Sequence, residues 1–285
     1  MKRLIVLFGL LIAVYVVSAQ KYSFKAEVSG SGNPILMIPG LSSSGDVWNG
    51  TVKELSENFE CHVVTLPGFA GQPAIENDNY LTSVGDELIQ YLEKEKLKNV
   101  VIMGHSLGGF LTLYIGTNAP KLVSKLVVVD GLPFLGAMQN PAATPETTKG
   151  MAEMMKKNIE LQTTEQYEAM QPTMLKTMIT ADEHIELAME WGRQSDKATI
   201  AKAMYEMYQM DLREKIASIS SPTLVLGAWA GYKDYGVTKE MTMNSFRHQY
   251  RNLKDVQIAL SEEGRHFLMW DDPQFFYSQI RTFLQ

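Results

Sequence analysis

One serine of this chain stands in a sequence context that suits a nucleophile. Ser106 lies at the centre of Gly104-His105-Ser106-Leu107-Gly108, between the apolar run Val100 to Ile102 and an apolar segment with helical spacing. This order predicts a strand, a sharp turn and a helix, and the turn needs residues without a Cβ two positions before and after the serine. Such a turn exposes the hydroxyl at the sheet edge and aims the amide of Leu107 at a developing oxyanion. We therefore expect nucleophilic catalysis by Ser106; the alternative is an ordinary glycine-rich turn.

The histidine best placed to activate this serine is His266. Ligands of open α/β sheets bind outside the carboxyl ends of the strands, so the partners of Ser106 should lie in loops that follow strands. His266 follows the last predicted strand, and an imidazole can take and return a proton near neutral pH. His105 flanks the serine and must point away from it. The remaining histidines fall in a strand, an insertion and a helix: His62, His184 and His248.

A carboxylate should orient that imidazole and stabilise its charged form. We choose Asp234, in the loop after the penultimate predicted strand, with Asp130 as the alternative at the end of the strand that follows the serine turn. Either residue could instead serve as a helix cap or a turn residue. Glu262 and Glu263 directly precede the histidine and are expected to face solvent.

Two backbone amides are expected to stabilise the oxyanion. Leu107 supplies one, and Leu41 supplies the other from the loop Pro39-Gly40-Leu41, which directly follows a buried strand. No cluster of histidine and acidic residues has the spacing of metal ligands, so we expect neither a metal nor a cofactor.

Strands and helices alternate along most of the chain, which predicts a doubly wound, mostly parallel α/β sheet. The predicted strands are Lys21 to Val28 (an edge strand), Ile35 to Ile38, Cys61 to Leu66, Val100 to Ile102, Leu126 to Val129, Thr223 to Leu226 and Val256 to Leu260. Between Pro133 and Ser221 the pattern is helical, and Met151 to Met210 carries ten of the seventeen methionines. We therefore predict a core of residues 20–132 and 222–285, with a helical insertion at 133–221.

The first nineteen residues have the pattern of a secretory signal peptide. A basic pair is followed by an apolar run from Leu4 to Val17 and by small residues that predict cleavage after Ala19. A retained anchor is the alternative, although the run is short for a span of about 20 residues. We expect a secreted or periplasmic protein without a stable membrane span. The net charge of −6 and the lack of basic runs with interleaved aromatics argue against nucleic-acid binding.

Taken together, the glycine-flanked Ser106 turn, the Pro39-Gly40 loop, Pro67-Gly68-Phe69, Asp234 and His266 resemble the α/β-hydrolase superfamily. The resemblance implies a serine-nucleophile member whose insertion caps the active site. It implies little about the substrate, because the superfamily hosts many chemistries. Methionines at helical spacing in the cap more often pack in a core than face a ligand. The alternative is contact with an apolar substrate, for which the candidates are Met170, Met174, Met204 and Met207.

The resulting expectation is a serine esterase that acts on a small to medium, mostly apolar acyl ester through an acyl-enzyme. An acyltransferase, an aminopeptidase or a carbon–carbon hydrolase would use the same three side chains. A binding protein without catalysis is the alternative from a different class.

Overall fold

The computed structural model describes residues 22–285, and the predicted signal peptide at 1–19 lies outside them. Seven strands form one sheet in the order β1-β3-β2-β4-β5-β6-β7, in which only the edge strand β1 runs antiparallel to its neighbour. The strands are β1 Lys25–Gly30, β2 Asn33–Ile38, β3 Phe59–Thr65, β4 Val100–His105, β5 Val123–Val129, β6 Thr223–Gly227 and β7 Val256–Leu260. This arrangement confirms the predicted doubly wound, mostly parallel sheet.

Helices cover both faces of the sheet. They are α1 Asn49–Leu55, α2 Tyr80–Lys94, α3 Leu107–Asn118, α4 Pro145–Leu161, α5 Thr164–Met178, α6 Asp182–Arg193, α7 Lys197–Met207, α8 Lys239–Gln249, α9 Leu268–Asp271 and α10 Pro273–Leu284. Helices α2, α3 and α8 pack on one face, and α1 and α10 pack on the other. Along β2, Leu36 and Ile38 join the first core while Ile35 and Met37 join the second. Both faces of β2 are buried over residues 35–38, and these four residues form a continuous apolar run.

Four helices, α4 to α7, lie between β5 and β6, where the helical insertion was predicted. Helix α7 is tied to the core by Glu206, whose two carboxylate oxygens accept the backbone N–H groups of Tyr80 and Leu81, each at 2.7 Å. Those amides open helix α2 and have no acceptor within the helix. The cap is therefore anchored to the core by a buried carboxylate.

Two further properties concern the described residues only. None of the helices within residues 22–285 has the length and apolar character needed to cross a membrane. Cys61 is buried in β3, and burial raises the pKa of its thiol to about 11.

Candidate active site

Ser106 occupies a strained turn between β4 and α3. Its backbone angles are φ 55° and ψ −115°, a conformation that costs a residue with a side chain on the order of 1–3 kcal/mol. The flanking glycines are required by contact: a Cβ on Gly104 would lie 2.0 Å from the carbonyl oxygen of Gly108, and one on Gly108 would lie 2.2 Å from that of Ile38. The hydroxyl is partly exposed, and Oγ forms no hydrogen bond with any residue in 22–285. The hydroxyl of Ser106 is therefore accessible and available to react with a substrate.

The imidazole of His266 is bonded to Asp130. Nδ1 of His266 lies 2.6 Å from Oδ2 of Asp130, and the two side chains are 16% and 14% exposed. A carboxylate accepts hydrogen bonds, so Nδ1 carries the hydrogen and Nε2 is left with a free lone pair. An imidazole in this tautomer can remove a proton from a hydroxyl group.

The prediction that Asp234 orients His266 is therefore corrected in favour of the alternative, Asp130. After β6 the chain forms a short 3-10 helix, Ala230–Tyr235, which leaves the Asp234 side chain exposed. Asp130 follows β5 directly and is held at φ 46°, a left-handed conformation. Its N–H donates to Leu226 O at 2.7 Å, and its Oδ1 accepts the N–H of Ala228 at 2.9 Å. These contacts fix the carboxylate at the sheet rim.

The serine and this carboxylate come from neighbouring strands. The backbone N–H of Ser106 donates to Val129 O at 2.9 Å, and a Cβ on Gly131 would lie 3.0 Å from the carbonyl oxygen of Ser106. The residues that follow the carboxyl ends of β4 and β5 are thus in direct contact. The loop after β7 brings His266 to the same edge of the sheet. The structure places Ser106, Asp130 and His266 together at the carboxyl edge of the sheet.

The two amides predicted to bind an oxyanion lie at the same edge. Leu107 is the first residue of α3, so its N–H has no acceptor within the helix. Leu41 follows Gly40, where an added Cβ would lie 3.2 Å from Cβ of Ser106. Across residues 22–285, neither amide donates a hydrogen bond to another backbone group. Both donors are therefore free beside the serine.

The cap and the segment after β6 contribute polar and aromatic groups near the site that the sequence did not single out. Tyr167 of α5 lies close to Ser42 and to Gln171, one turn further along the helix, and burial raises the pKa of its phenol. Tyr232, in the short helix after β6, is 45% exposed and lies near Asp130; partial desolvation and then the charge of that carboxylate raise the pKa of its phenol. The i, i+4 spacing of Tyr167 and Gln171 was the available sequence signal for a shared face.

The four cap methionines are placed differently from one another. Met207 is buried in the core, and Met204 is partly buried against the same core cluster. Met170 and Met174 on α5 are 60% and 49% exposed. The methionines do not form one buried face, and their contact with a substrate stays a prediction.

The remaining histidines have other partners. His62 lies between Tyr91 Oη and Glu60 Oε1, His184 stacks on Trp270, and His248 contacts Arg251. Within residues 22–285, no group of three or more histidine, cysteine or acidic side chains is arranged to hold a metal ion.

Comparison with known proteins agrees with this architecture. Pimeloyl-(acyl-carrier protein) methyl ester esterase from Vibrio campbellii is 25% identical over 257 residues, which cover 89% of this chain and 95% of that protein. The same-named protein of Aliivibrio fischeri is 23% identical over 260 residues, covering 90% and 96%. A hydrolase structure from Pseudomonas aeruginosa superposes with a TM-score of 0.77 at 14% identity, covering 92% of this chain and 94% of that one.

A bromoperoxidase structure from Bacillus anthracis is also similar, with a TM-score of 0.76 at 19% identity and coverage of 92% and 95%. At such identities these structures establish the fold rather than a substrate. The sequence profile of the alpha/beta hydrolase family matches residues 35–279, most of the chain. The chain therefore belongs to the alpha/beta hydrolase family.

Proposed function

We propose that this protein is a serine esterase that hydrolyses small to medium, mostly apolar acyl esters through Ser106, His266 and Asp130. The observation that carries the proposal is the 2.6 Å contact between His266 Nδ1 and Asp130 Oδ2 on the rim that also holds the strained serine. This contact fixes the tautomer in which Nε2 can act as a base. The esterase names of the relatives support the same reaction class.

Acylation follows from this arrangement. Nε2 of His266 takes the hydroxyl proton as Oγ of Ser106 bonds to the ester carbonyl carbon. The carbonyl oxygen becomes an oxyanion, which the N–H groups of Leu41 and Leu107 bind; losing one such donor typically costs about 2.7–4 kcal/mol. The carbon–oxygen bond to the alcohol then breaks, and His266 returns the proton to the leaving alcohol. Asp130 stabilises the imidazolium that exists between these steps.

Deacylation repeats the sequence with water. His266 removes a proton from a water molecule as its oxygen attacks the acyl carbon, and the same two amides bind the second oxyanion. The bond to Oγ then breaks, the proton passes from His266 to Ser106, and the carboxylic acid leaves. Each proton taken up by the imidazole is returned, so the enzyme ends the cycle unchanged.

Apolar side chains at the rim support an apolar acyl group. Three such side chains are partly buried and pack against the core on the sheet face that α2, α3 and α8 cover: Leu41, Tyr167 and Trp229. Ligand pockets combine such surfaces with a few polar groups that fix orientation. The names of the relatives specify a methyl ester, so we include esters of methanol among the proposed substrates.

We also propose that the protein acts outside the cytoplasm, in the periplasm or as a secreted protein. The support is the pattern of the first nineteen residues, with Lys2 and Arg3 before the apolar run and small residues before the predicted cleavage site. Mass spectrometry of the protein recovered from its native host tests this, since cleavage predicts an amino terminus at Gln20. A chain that retains Met1 to Ala19 would contradict it.

The esterase proposal is tested by assaying the mature chain against p-nitrophenyl esters and methyl esters of graded acyl length. We expect hydrolysis by the wild type and loss of it in Ser106→Ala, with Ser42→Ala as a control for a nearby hydroxyl. A fluorophosphonate should label the wild type and fail to label Ser106→Ala. Wild-type protein that neither turns over any ester nor reacts with the probe would contradict the proposal. Adding an alcohol acceptor and analysing products separates hydrolysis from acyl transfer.

A further inference from the structure

The residue before the serine touches the backbone of the proposed base. His105 ends β4 and is 1% exposed. Its Nε2 lies 3.0 Å from the carbonyl oxygen of His266, although 161 positions separate the two residues. The two imidazole rings lie 4.5 Å apart between centroids, and the ring of Phe267 lies 4.5 Å from that of His105.

The partner atom determines the tautomer of His105. A carbonyl oxygen can only accept, so Nε2 carries the hydrogen and Nδ1 does not. Nδ1 is buried and has no hydrogen-bond partner within residues 22–285. Burial, followed by the neighbouring His266, lowers the pKa of His105 well below its ordinary value, so the ring is neutral at pH 7. His105 is thus a neutral donor with a single hydrogen bond, directed at the peptide of His266.

The same peptide unit is held from the opposite side by the cap. The N–H of Phe267, which shares the peptide plane with the His266 carbonyl, donates to the carbonyl oxygen of Met178 at 3.3 Å. Met178 ends cap helix α5. The peptide that carries the imidazole therefore has one hydrogen bond to the core strand β4 and one to the cap.

We propose that His105 is a positioning residue: its Nε2–H bond to the His266 carbonyl sets the peptide that carries the imidazole, and so the placement of the ring that bonds to Asp130. The inference rests on the proposed function, in which His266 is the base. Packing alone does not account for a histidine at this position. An apolar side chain would fill the buried site as well, and an imidazole buried with an unpartnered Nδ1 carries a desolvation cost that packing alone does not require.

The test uses two substitutions of nearly equal length and volume. Gln in His105→Gln can present an N–H near the position of Nε2, whereas Met in His105→Met fills the same space without a donor. We expect kcat of the methionine variant to fall about ten- to hundredfold, since displacing a reacting group by about 1 Å can cost 10²-fold. KM should change less than twofold. The glutamine variant should recover most of the lost kcat.

A second readout needs no turnover. The hydrogen between His266 Nδ1 and Asp130 should give a far-downfield proton resonance in NMR spectra of the wild type and the glutamine variant. We expect that resonance to shift or broaden in the methionine variant, while thermal unfolding midpoints of the two variants stay within a few degrees.

If the methionine variant keeps both kcat and the resonance of the wild type, His105 does not position the base. The inference also fails if the two variants lose kcat and the resonance equally at equal stability. Absence of ester hydrolysis by the wild type would count against the proposed function alone, because the resonance still reports on how His105 affects the His266–Asp130 pair.

Discussion

Replacing Asp130 by asparagine should nearly abolish turnover while leaving the fold intact. Asparagine has almost the same shape, and its Oδ1 can still accept the N–H of Ala228, which lies 2.9 Å from Oδ1 of the native carboxylate. Its amide group then faces Nδ1 of His266, where an acceptor stood at 2.6 Å. Since an NH2 group donates, Nδ1 must become the acceptor and the imidazole hydrogen moves to Nε2. In that tautomer Nε2 cannot take the proton of Ser106.

The size of the effect follows from the role of the tautomer. The same substitution in a serine protease triad lowers kcat by about 10⁴-fold, and we expect a loss of this order for Asp130→Asn. At about 1.36 kcal/mol for each factor of ten, this corresponds to a rise of about 5 kcal/mol in the activation barrier. KM should change little, because the carboxylate lies behind the imidazole and is not among the groups proposed to bind the acyl chain.

The assay is steady-state hydrolysis of the best p-nitrophenyl ester, with Asp234→Asn as the matched control. Asp234 is exposed, so its variant should stay within twofold of the wild type in kcat and KM. Thermal unfolding of both variants checks that the fold survives. If Asp234→Asn is inactive and Asp130→Asn retains activity, the assignment of the acid from this structure is wrong.

Three further predictions concern the groups around the serine. Gly40→Ala should lower kcat by about 10²- to 10³-fold with little change in KM, because a Cβ would lie 2.9 Å from Nδ1 of His105 and 3.2 Å from Cβ of Ser106 and so displace the loop that carries the Leu41 amide; unchanged kcat would refute this. Glu206→Gln should lower the free energy of unfolding by about 2 kcal/mol in chemical denaturation, since one oxygen that accepts an N–H of α2 becomes a donor; equal stability would count against the anchoring role. His105 has a folded-state pKa below its ordinary value, so its stabilising contribution is present above about pH 6.5 and is lost on acidification. Between pH 6.5 and 5 the wild type should lose up to about 1.4 kcal/mol per pH unit relative to His105→Gln, and parallel pH curves of the two proteins would contradict that sign.

The strands could be predicted from sequence because burial on two faces leaves a simple signature. The run Ile35 to Ile38 has no polar residue, and it forms most of β2, Asn33–Ile38. The two additional residues carry no such signal, since they are assigned to the strand by their pairing with β3. The turn at Ser106 was equally accessible, because Gly104 and Gly108 meet a local steric requirement.

The choice of acid could not be made from sequence by the same reasoning. Asp130 and Asp234 both follow predicted strands, and a strand ending tells only which edge of the sheet a loop reaches. What separates them is the path of the chain after β6, where Ala230–Tyr235 forms a short helix that leaves Asp234 exposed. Asp130 directly follows β5, which would have been the better argument for choosing it, because a residue next to a strand has little freedom to leave the rim.

The position of Asp130 also explains why an acid after β5 and an acid after β6 were both reasonable candidates. Strands β5 and β6 are parallel neighbours, with Val129 paired to Leu226, so their ends lie side by side. The backbone of Asp130 bonds to β6 through Leu226, and its carboxylate bonds to Ala228, just beyond the end of β6. A carboxylate from either strand end would therefore face the loop that carries His266. The position of the acid between the ends of β5 and β6 can therefore be occupied from either strand. Asp130 occupies it because it directly follows β5 and is held there by hydrogen bonds to Leu226 and Ala228.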